Sequence, residues 1–183
     1  METNLCVAGF GGQGIMTLGK FLADTVCHRT EKNVTFFPSY GAEQRGGTAN
    51  CYVVISDGKI GAPLGEVMDE LIIMNEPSLK KFLKTLKSGG TLFLNNSLIN
   101  CEVEREDITL IEIPATQMAL EIGNIKVLNI VMLGVYIGYT GILSEEAVWK
   151  TIEENLSRKA SLLPLNKKAY EAGLAYGRER RGK

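Results

Sequence analysis

The sequence has few residues of the kind that bind metals. Its single histidine is His28, and its four cysteines, Cys6, Cys27, Cys51 and Cys101, are widely spaced without a CxxC pair. Iron–sulfur clusters need closely spaced thiolates, and zinc sites usually combine several cysteines and histidines. We therefore expect that this chain carries neither an iron–sulfur cluster nor another metal site.

A strong excess of charge of one sign is also lacking. The formal net charge is −1 and 22% of the residues are charged. Such a balance argues against a general affinity for nucleic acid or for an anionic membrane. The only basic cluster occupies residues 178–183, and we interpret it as a solvated chain end rather than a nucleic-acid patch.

A long uninterrupted apolar run is missing as well. The best candidate, 127–143, is interrupted by Asn129, Gly134, Gly138 and Thr140. A membrane span needs about 18 or more consecutive apolar residues, so this pattern predicts a buried helix that packs closely through its small residues. The opening "METNLCVAGFGG" lacks the basic region of a secretory signal, and we expect a cytoplasmic protein.

Strand-like and helix-like segments alternate along most of the chain. At 183 residues the chain has the length of a single domain, 1–183. The alternation predicts an α/β fold of three layers, α/β/α, that is Rossmann-like, with a mostly parallel or mixed sheet and a helical C-terminal third. The predicted strands are 5–8, 34–37, 51–56, 70–75, 91–96 and 108–113, and the predicted helices are 15–28, 114–122, 127–138, 144–156 and 164–180.

One further helix is predicted after the fourth strand, in "EPSLKKFLKTLKSGG". Leu79, Phe82, Leu83 and Leu86 recur there at the spacing of one helix face. The pair Gly89-Gly90 is expected to end this helix.

A glycine-rich turn follows the first predicted strand. Gly9, Gly11 and Gly14 have the G-x-G-x-x-G spacing of a dinucleotide-binding turn. That motif also needs an acidic residue at the end of the next strand, where this sequence reads "FFPS". Three interpretations stay open: a dinucleotide, a phosphate or pyrophosphate of another ligand at the helix start, or close packing of strand and helix. Gln13 favours a ligand or a partner.

The segment 38–50, "PSYGAEQRGGTAN", is a long connection between two predicted strands. It leaves no room for a helix, so we expect the two strands to be antiparallel. Loops of this length are uncommon and often functional. Its charges are either solvated in a local turn, or the loop docks against another chain through Tyr40 and Arg45.

Taken together, "GFGGQGIMTLGKFLA" and "FFPSYGAEQRGGTANCYVVIS" resemble the gamma subunit of the 2-oxoacid:ferredoxin oxidoreductases. The resemblance continues through "LIIMNEPSLKKF", "IPATQMALEIGNIKVLNIVMLGVYIG" and "LNKKAYEAG", and it therefore covers almost the whole chain in order. The forms "GFGGQG" and "EQRGGTA" are closer to the 2-oxoglutarate and branched-chain types than to the pyruvate type.

The resemblance implies an enzyme complex that oxidatively decarboxylates a 2-oxoacid, here 2-oxoglutarate, to an acyl-CoA and reduces ferredoxin. Thiamine diphosphate and iron–sulfur clusters carry that chemistry, and both are expected on the partner alpha, beta and ferredoxin-like delta subunits. This chain is expected to contribute to CoA contact and to assembly, to bind no cofactor alone and to be inactive alone. The alternatives are a free-standing dinucleotide-dependent oxidoreductase and a purely structural scaffold subunit.

The resemblance also points to particular residues in both loops. The diphosphate and 3′-phosphate of CoA suit helix-start N–H groups and Arg45, whereas Glu43 would orient Arg45 or pair with a partner chain. No residue is assigned to proton transfer or nucleophilic attack. The cofactor-binding candidates are Gly11, Gly12, Gln13, Gly14, Ser39, Tyr40, Glu43 and Arg45, with Gly41, Gly46 and Gly47 beside them.

Overall fold

The computed structural model describes residues 1–40 and 48–181. The chain divides into two compact units, Met1–Pro114 and Ala115–Lys183, each with its own internal contacts. The two units are described in turn. That 1–183 forms one domain stays a prediction.

The first unit is built on a six-stranded mixed sheet with the order β2-β3-β1-β4-β5-β6. Strand β3 is antiparallel to both β1 and β2, whereas β1, β4, β5 and β6 run parallel. The α/β class, the mixed sheet and the antiparallel pair around the long loop are confirmed. The strands are β1 (Glu2–Phe10), β2 (Asn33–Tyr40), β3 (Thr48–Ser56), β4 (Met68–Ile73), β5 (Leu86–Asn95) and β6 (Thr109–Ile113).

Helix α1 (Ile15–Arg29) covers β1, β2 and β3 on one face of the sheet. The approach is close at Gly19, where an added Cβ would lie 2.5 Å from the Cys51 sulfur. On the opposite face, Cys6 and Ala8 of β1 join a buried apolar cluster. That cluster includes Leu79 of the short helix that follows β4. The two faces are distinct because Cys51 pairs with Val7, the neighbour of Cys6.

The helix predicted to run from Glu76 to Gly89-Gly90 is shorter than expected, and this part of the prediction is wrong. Helix α2 (Glu76–Phe82) continues only into a 3-10 turn (Leu83–Thr85), and Leu86 already begins β5. The two glycines form an irregularity inside the strand, where the β4–β5 register shifts. Gly89 has a φ of 73° and donates its N–H to Asp107 O at 2.7 Å, a conformation that favours glycine in a bulge as well as at a helix end.

The second unit is helical, so the predicted helical C-terminal third is confirmed. Ser144 caps its third helix by accepting a hydrogen bond from Ala147 N at 3.4 Å. The helices are α3 (Ala115–Ile122), α4 (Leu128–Thr140), α5 (Glu145–Asn155) and α6 (Leu163–Arg180).

Helices α4 and α6 pack backbone against backbone. An added Cβ at Gly134 would lie 2.5 Å from Tyr170 O, and one at Gly138 would lie 2.4 Å from Leu174 O. An added Cβ at Gly173 of α6 would likewise lie 2.3 Å from Val131 O of α4. The prediction of a buried helix packed through small residues is therefore confirmed. Of the helices in the described part of the chain, none combines the length and the apolar character that a bilayer crossing requires.

We predict that Gly138→Ala destabilises the protein. The new methyl group must push α6 away from α4 because the opposing atom belongs to backbone, and overpacking of this kind typically costs about 1–3 kcal/mol. Urea unfolding followed by circular dichroism measures the change. Gly58→Ala is the matched control, since an added Cβ there meets open space and its φ is not positive. Equal unfolding free energies for the two variants would contradict the close helix crossing.

Candidate functional site

Both loops singled out by the sequence leave the same edge of the sheet. Strands β1 and β2 are each antiparallel to β3 and therefore share a direction, and β4 is parallel to β1. The turn 11–14 follows β1. The predicted loop 38–50 is too long, because β2 continues to Tyr40 and β3 already begins at Thr48, which leaves 41–47 as the connection. With one strand between them, the ends of β1 and β2 lie about 10 Å apart.

The structure brings part of the predicted site together at this edge. The turn 11–14 is joined there by Ser39, which pairs with Asn50 of β3, itself paired with Ala8 of β1. Tyr40 closes β2 as its last residue. The side chain of Tyr40 and the whole of residues 41–47, including Glu43, Arg45 and the three glycines of that loop, lie outside the described part.

The glycines of the first turn have two different roles. A Cβ at Gly9 would lie 2.8 Å from Ile15 Cδ1 of α1 and 3.0 Å from Met74 Cβ, so Gly9 permits close packing of strand and helix. A Cβ at Gly11 or Gly12 would meet nothing within 4 Å. The packing interpretation therefore explains Gly9 and leaves the exposed part of the turn available for a ligand.

The start of α1 is suited to a negative group. Its N-cap is Gly14 with a φ of 76°, no side chain caps the helix, and its first turn contains no acidic residue. Gly12, two residues before this N-cap, has a φ of 95°. A helix start directs backbone N–H groups and the positive end of the helix dipole outward, and both favour an anion there. A phosphate or carboxylate fits this position better than a cation.

The side chain of Gln13 braces the turn from within. Its Oε1 accepts a hydrogen bond from Phe10 N at 2.6 Å, and its Nε2 donates to Met74 O at 3.3 Å. Met74 follows β4 and donates its own N–H to Ala8 O at 2.9 Å. The carboxamide thus ties the end of β1 to the end of β4. Gln13 acts here as a positioning residue that holds the neighbouring backbone in place.

Sequence reasoning missed a buried polar pair at the carboxyl end of β4. Asn75 caps α2, with Oδ1 accepting from Ser78 N at 2.8 Å. Both residues are fully buried, and neither Asn75 Nδ2 nor Ser78 Oγ has a hydrogen-bond partner within the described residues. The sequence did contain a signal for this cap, because an asparagine between a strand and a Glu-Pro helix start is typical of an N-cap.

Three partly exposed aromatic side chains lie on the sheet face opposite α1. Phe10 at the end of β1 is 37% exposed and Phe37 on β2 is 47% exposed. Tyr52 pairs with Phe37, and burial raises the pKa of its hydroxyl, against the effect of a hydrogen bond from Asn50. Exposed aromatic side chains of this kind are typical of surfaces that contact another molecule.

The buried thiols of the sheet are unsuited to nucleophilic or metal chemistry. Burial raises the pKa of Cys51 to about 12 and also raises the pKa of Cys6, so both thiols are protonated at neutral pH. They lie on opposite faces of the sheet and cannot share a ligand. Within 1–40 and 48–181, no group of three or more histidine, cysteine or acidic side chains is placed to hold a metal ion.

We predict that Gln13→Ala loosens the first turn. The variant removes the acceptor for Phe10 N–H and the donor to Met74 O, and lost hydrogen bonds of this type cost about 0.5–1.5 kcal/mol each. Amide hydrogen exchange of Phe10, followed by NMR, should accelerate by roughly tenfold. Gln117→Ala, the same change on the exposed face of α3, is the control and should leave the exchange of Phe10 unchanged. Equal exchange in both variants would refute the bracing role.

The chain matches a known family over nearly its whole length. The family described as pyruvate ferredoxin/flavodoxin oxidoreductase matches residues 4–176. The chain is 36% identical over 180 residues to ketoisovalerate oxidoreductase subunit VorA of Methanothermobacter marburgensis, covering 97% of this chain but 37% of that protein. It thus spans little more than a third of that relative. It is also 32% identical to 2-oxoglutarate synthase subunit KorC of Methanocaldococcus jannaschii, covering 86% of each protein.

Solved structures agree with the sequence relatives. The gamma subunit of a keto/oxoacid ferredoxin oxidoreductase from Geobacter sulfurreducens superimposes with a TM-score of 0.86 at 28% identity, covering 98% of both chains. A 2-oxoglutarate:ferredoxin oxidoreductase from Magnetococcus marinus gives a TM-score of 0.90 at 26% identity, covering 97% of this chain and 31% of that one. The resemblance seen in the two loops is confirmed. This chain belongs to the pyruvate ferredoxin/flavodoxin oxidoreductase family.

Proposed function

We propose that this chain is the non-redox gamma subunit of a cytoplasmic 2-oxoacid:ferredoxin oxidoreductase that also contains alpha, beta and ferredoxin-like delta subunits. The observation that carries the proposal is the end-to-end match to a separate gamma subunit, covering 98% of both chains. The larger relatives, of which this chain spans about a third, are consistent with a module that works beside further polypeptide.

The redox and carbanion chemistry belongs to the partner subunits in this proposal. Thiamine diphosphate supplies an electron sink for decarboxylation, and iron–sulfur clusters accept the electrons. The thiols of this chain support that division, because Cys6 and Cys51 are buried on opposite faces and Cys27 is exposed on α1. The part played by this chain is to bind, to orient and to assemble.

CoA contact is the role that the sheet edge supports best. The start of α1 presents backbone N–H groups without a competing cap or acidic side chain, and the adjacent positions at Gly11 and Gly12 are open. CoA carries a diphosphate and a 3′-phosphate, and the Magnetococcus marinus enzyme was solved with coenzyme A and succinyl-CoA bound. Gly11, Gly12 and Gly14 would receive phosphate oxygens, with Gln13 holding their backbone in place.

The second loop completes the proposed contact. Ser39 lies at the same edge, and Tyr40, Glu43 and Arg45 follow it in sequence. The guanidinium of Arg45 suits a phosphate because it donates two parallel hydrogen bonds. Glu43 would orient Arg45 or pair with a sister subunit.

The proposed substrate of the complex is 2-oxoglutarate. The forms of the two glycine motifs support it, as do relatives named for 2-oxoglutarate. Another relative is named for ketoisovalerate, and substrate choice is expected to rest on the alpha and beta subunits. A comparison of kcat/KM for 2-oxoglutarate, 2-oxoisovalerate and pyruvate in the assembled complex decides among them.

We predict that activity requires the sister subunits. The isolated chain should reduce neither ferredoxin nor viologen dye with any 2-oxoacid and CoA, because its described residues offer no redox centre. The complex coexpressed with the alpha, beta and delta chains should show CoA-dependent dye reduction. Dye reduction by the isolated chain, or failure of the wild-type chain to copurify with those subunits, would refute the proposed function.

We predict that Arg45→Ala raises the KM for CoA by about tenfold or more, corresponding to the loss of a charge-assisted contact worth roughly 1.5–3 kcal/mol. Steady-state kinetics of the purified complex measure this, and native mass spectrometry checks that all subunits remain associated. Lys84→Ala, which removes an exposed cation elsewhere on the first unit, is the control. A scaffold role predicts the opposite pattern, in which assembly fails or the KM for CoA is unchanged.

A further inference from the structure

Among the strands of the described residues, the last one in the sheet has one side without a neighbouring strand. Strand β6 pairs with β5 and ends the strand order. Ile113 O accepts a hydrogen bond from Asn96 N, directly after β5, at 3.0 Å. Because successive residues of a strand direct their backbone groups to opposite sides, the N–H and C=O of Leu110 are directed to the outer edge. An outer edge of this kind is a template for one more strand.

A cleft of about 440 Å³ opens beside this edge, lined by residues 99–103 together with Leu110 and Glu112. Leu110 and Glu112 pair with Leu92 and Leu94 of the buried apolar cluster, so the cleft lies on the same sheet face as that cluster. Ile99, buried at 5% exposure, and Leu110, 38% exposed, give it aliphatic walls. The cleft therefore offers an apolar side chain a place directly next to the open strand edge.

The lining of the cleft contains two carboxylates and no lysine or arginine. Residues 101–113 contain five carboxylates and one guanidinium, a net charge of −4 in a chain whose total is −1. That guanidinium belongs to Arg105, which is engaged with Asp107 and with the carbonyl of Leu86 at 2.8 Å. Glu102 and Glu112 line the cleft and are exposed. A segment carrying lysine or arginine complements this surface.

We propose that an extended, basic segment of a sister subunit adds to the sheet along the outer edge of β6. Its backbone pairs with Leu110, one aliphatic side chain enters the cleft, and a lysine or arginine lies near Glu102 and Glu112. Strand addition of this kind combines main-chain hydrogen bonds for affinity with side-chain pockets for specificity. A second copy of this chain is a poor occupant, because the two carboxylates of one cleft would then face those of the other. The inference rests on the proposed function, since it names a surface through which the complex assembles.

Two pairs of variants test the proposal. Leu110→Pro removes the outward N–H, which does not bond to β5, and proline is tolerated on edge strands. Leu110→Ala is its control, since it removes the side chain and keeps the N–H. Glu102→Lys with Glu112→Lys reverses the charge of the cleft, and Glu153→Lys with Glu171→Lys is the matched control on exposed helix positions of the second unit. Titration of each purified variant with the remaining subunits, followed by native mass spectrometry, gives the association constants.

We expect Leu110→Pro to weaken association at least tenfold relative to Leu110→Ala, and the charge reversal at the cleft to weaken it at least tenfold relative to its control. Amide hydrogen exchange over 109–113 should also slow in the wild-type complex compared with the free chain. Circular dichroism and thermal unfolding of the free variants identify any loss of fold. If a variant is misfolded, the hydrogen-exchange comparison on the wild-type protein tests the proposal in its place.

Three outcomes would overturn the inference. The first is an assembled wild-type complex in which 109–113 exchanges as fast as in the free chain, which leaves the proposed function intact. The second is protection of 109–113 in the isolated chain as it dimerises, which identifies a second copy as the occupant. The third is a wild-type chain that does not associate with the sister subunits at all, which removes the proposed function together with the inference.

Discussion

The hydrogen bonding of β1 on both sides is the constraint on which the site depends. One side of β1 pairs antiparallel with β3 from Glu2 to Phe10, and the other pairs parallel with β4. Since β2 is also antiparallel to β3, the carboxyl ends of β1, β2 and β4 must reach a single edge of the sheet. The glycine turn and Tyr40 are distant in sequence, and this pairing pattern alone brings the strand ends that carry them to the same edge. If β3 were parallel to only one of its two neighbours, β1 and β2 would run in opposite directions and these ends would lie at opposite edges.

Local geometry then determines what the turn can bind. Gly9 lets the strand and helix approach each other, and the Gln13 carboxamide ties Phe10 N to Met74 O. These contacts lie within the turn. An added Cβ at Gly11 or Gly12 would still meet open space, next to a helix start that no side chain caps. The arrangement resembles a dinucleotide turn without its acidic partner, because β2 ends in Pro38, Ser39 and Tyr40. An anion fits, and a ribose hydroxyl finds no carboxylate in the expected place.

Prediction from sequence succeeded where one pattern had one structural meaning. The small residues of 127–143 predicted a tightly packed buried helix, and Gly134 and Gly138 indeed meet the backbone of α6. It failed at Gly89-Gly90, because paired glycines end helices and form strand bulges equally well, and only the pairing of β4 with β5 distinguishes these cases. It also missed Asn75 and Ser78, whose burial depends on packing around the end of β4 rather than on local pattern.

The sequence by itself determined the family and the class of fold. Two glycine motifs in a fixed order are specific in combination, and alternating strand and helix patterns follow from local periodicity. The tertiary structure alone decided that Gln13 serves the turn internally, because its partners Phe10 and Met74 belong to different strands. It also decided that no strand of the described residues pairs with the outer side of β6, beside a cleft lined by two glutamates. Both depend on strand order, which is set by contacts between residues far apart in the chain and leaves no local sequence pattern.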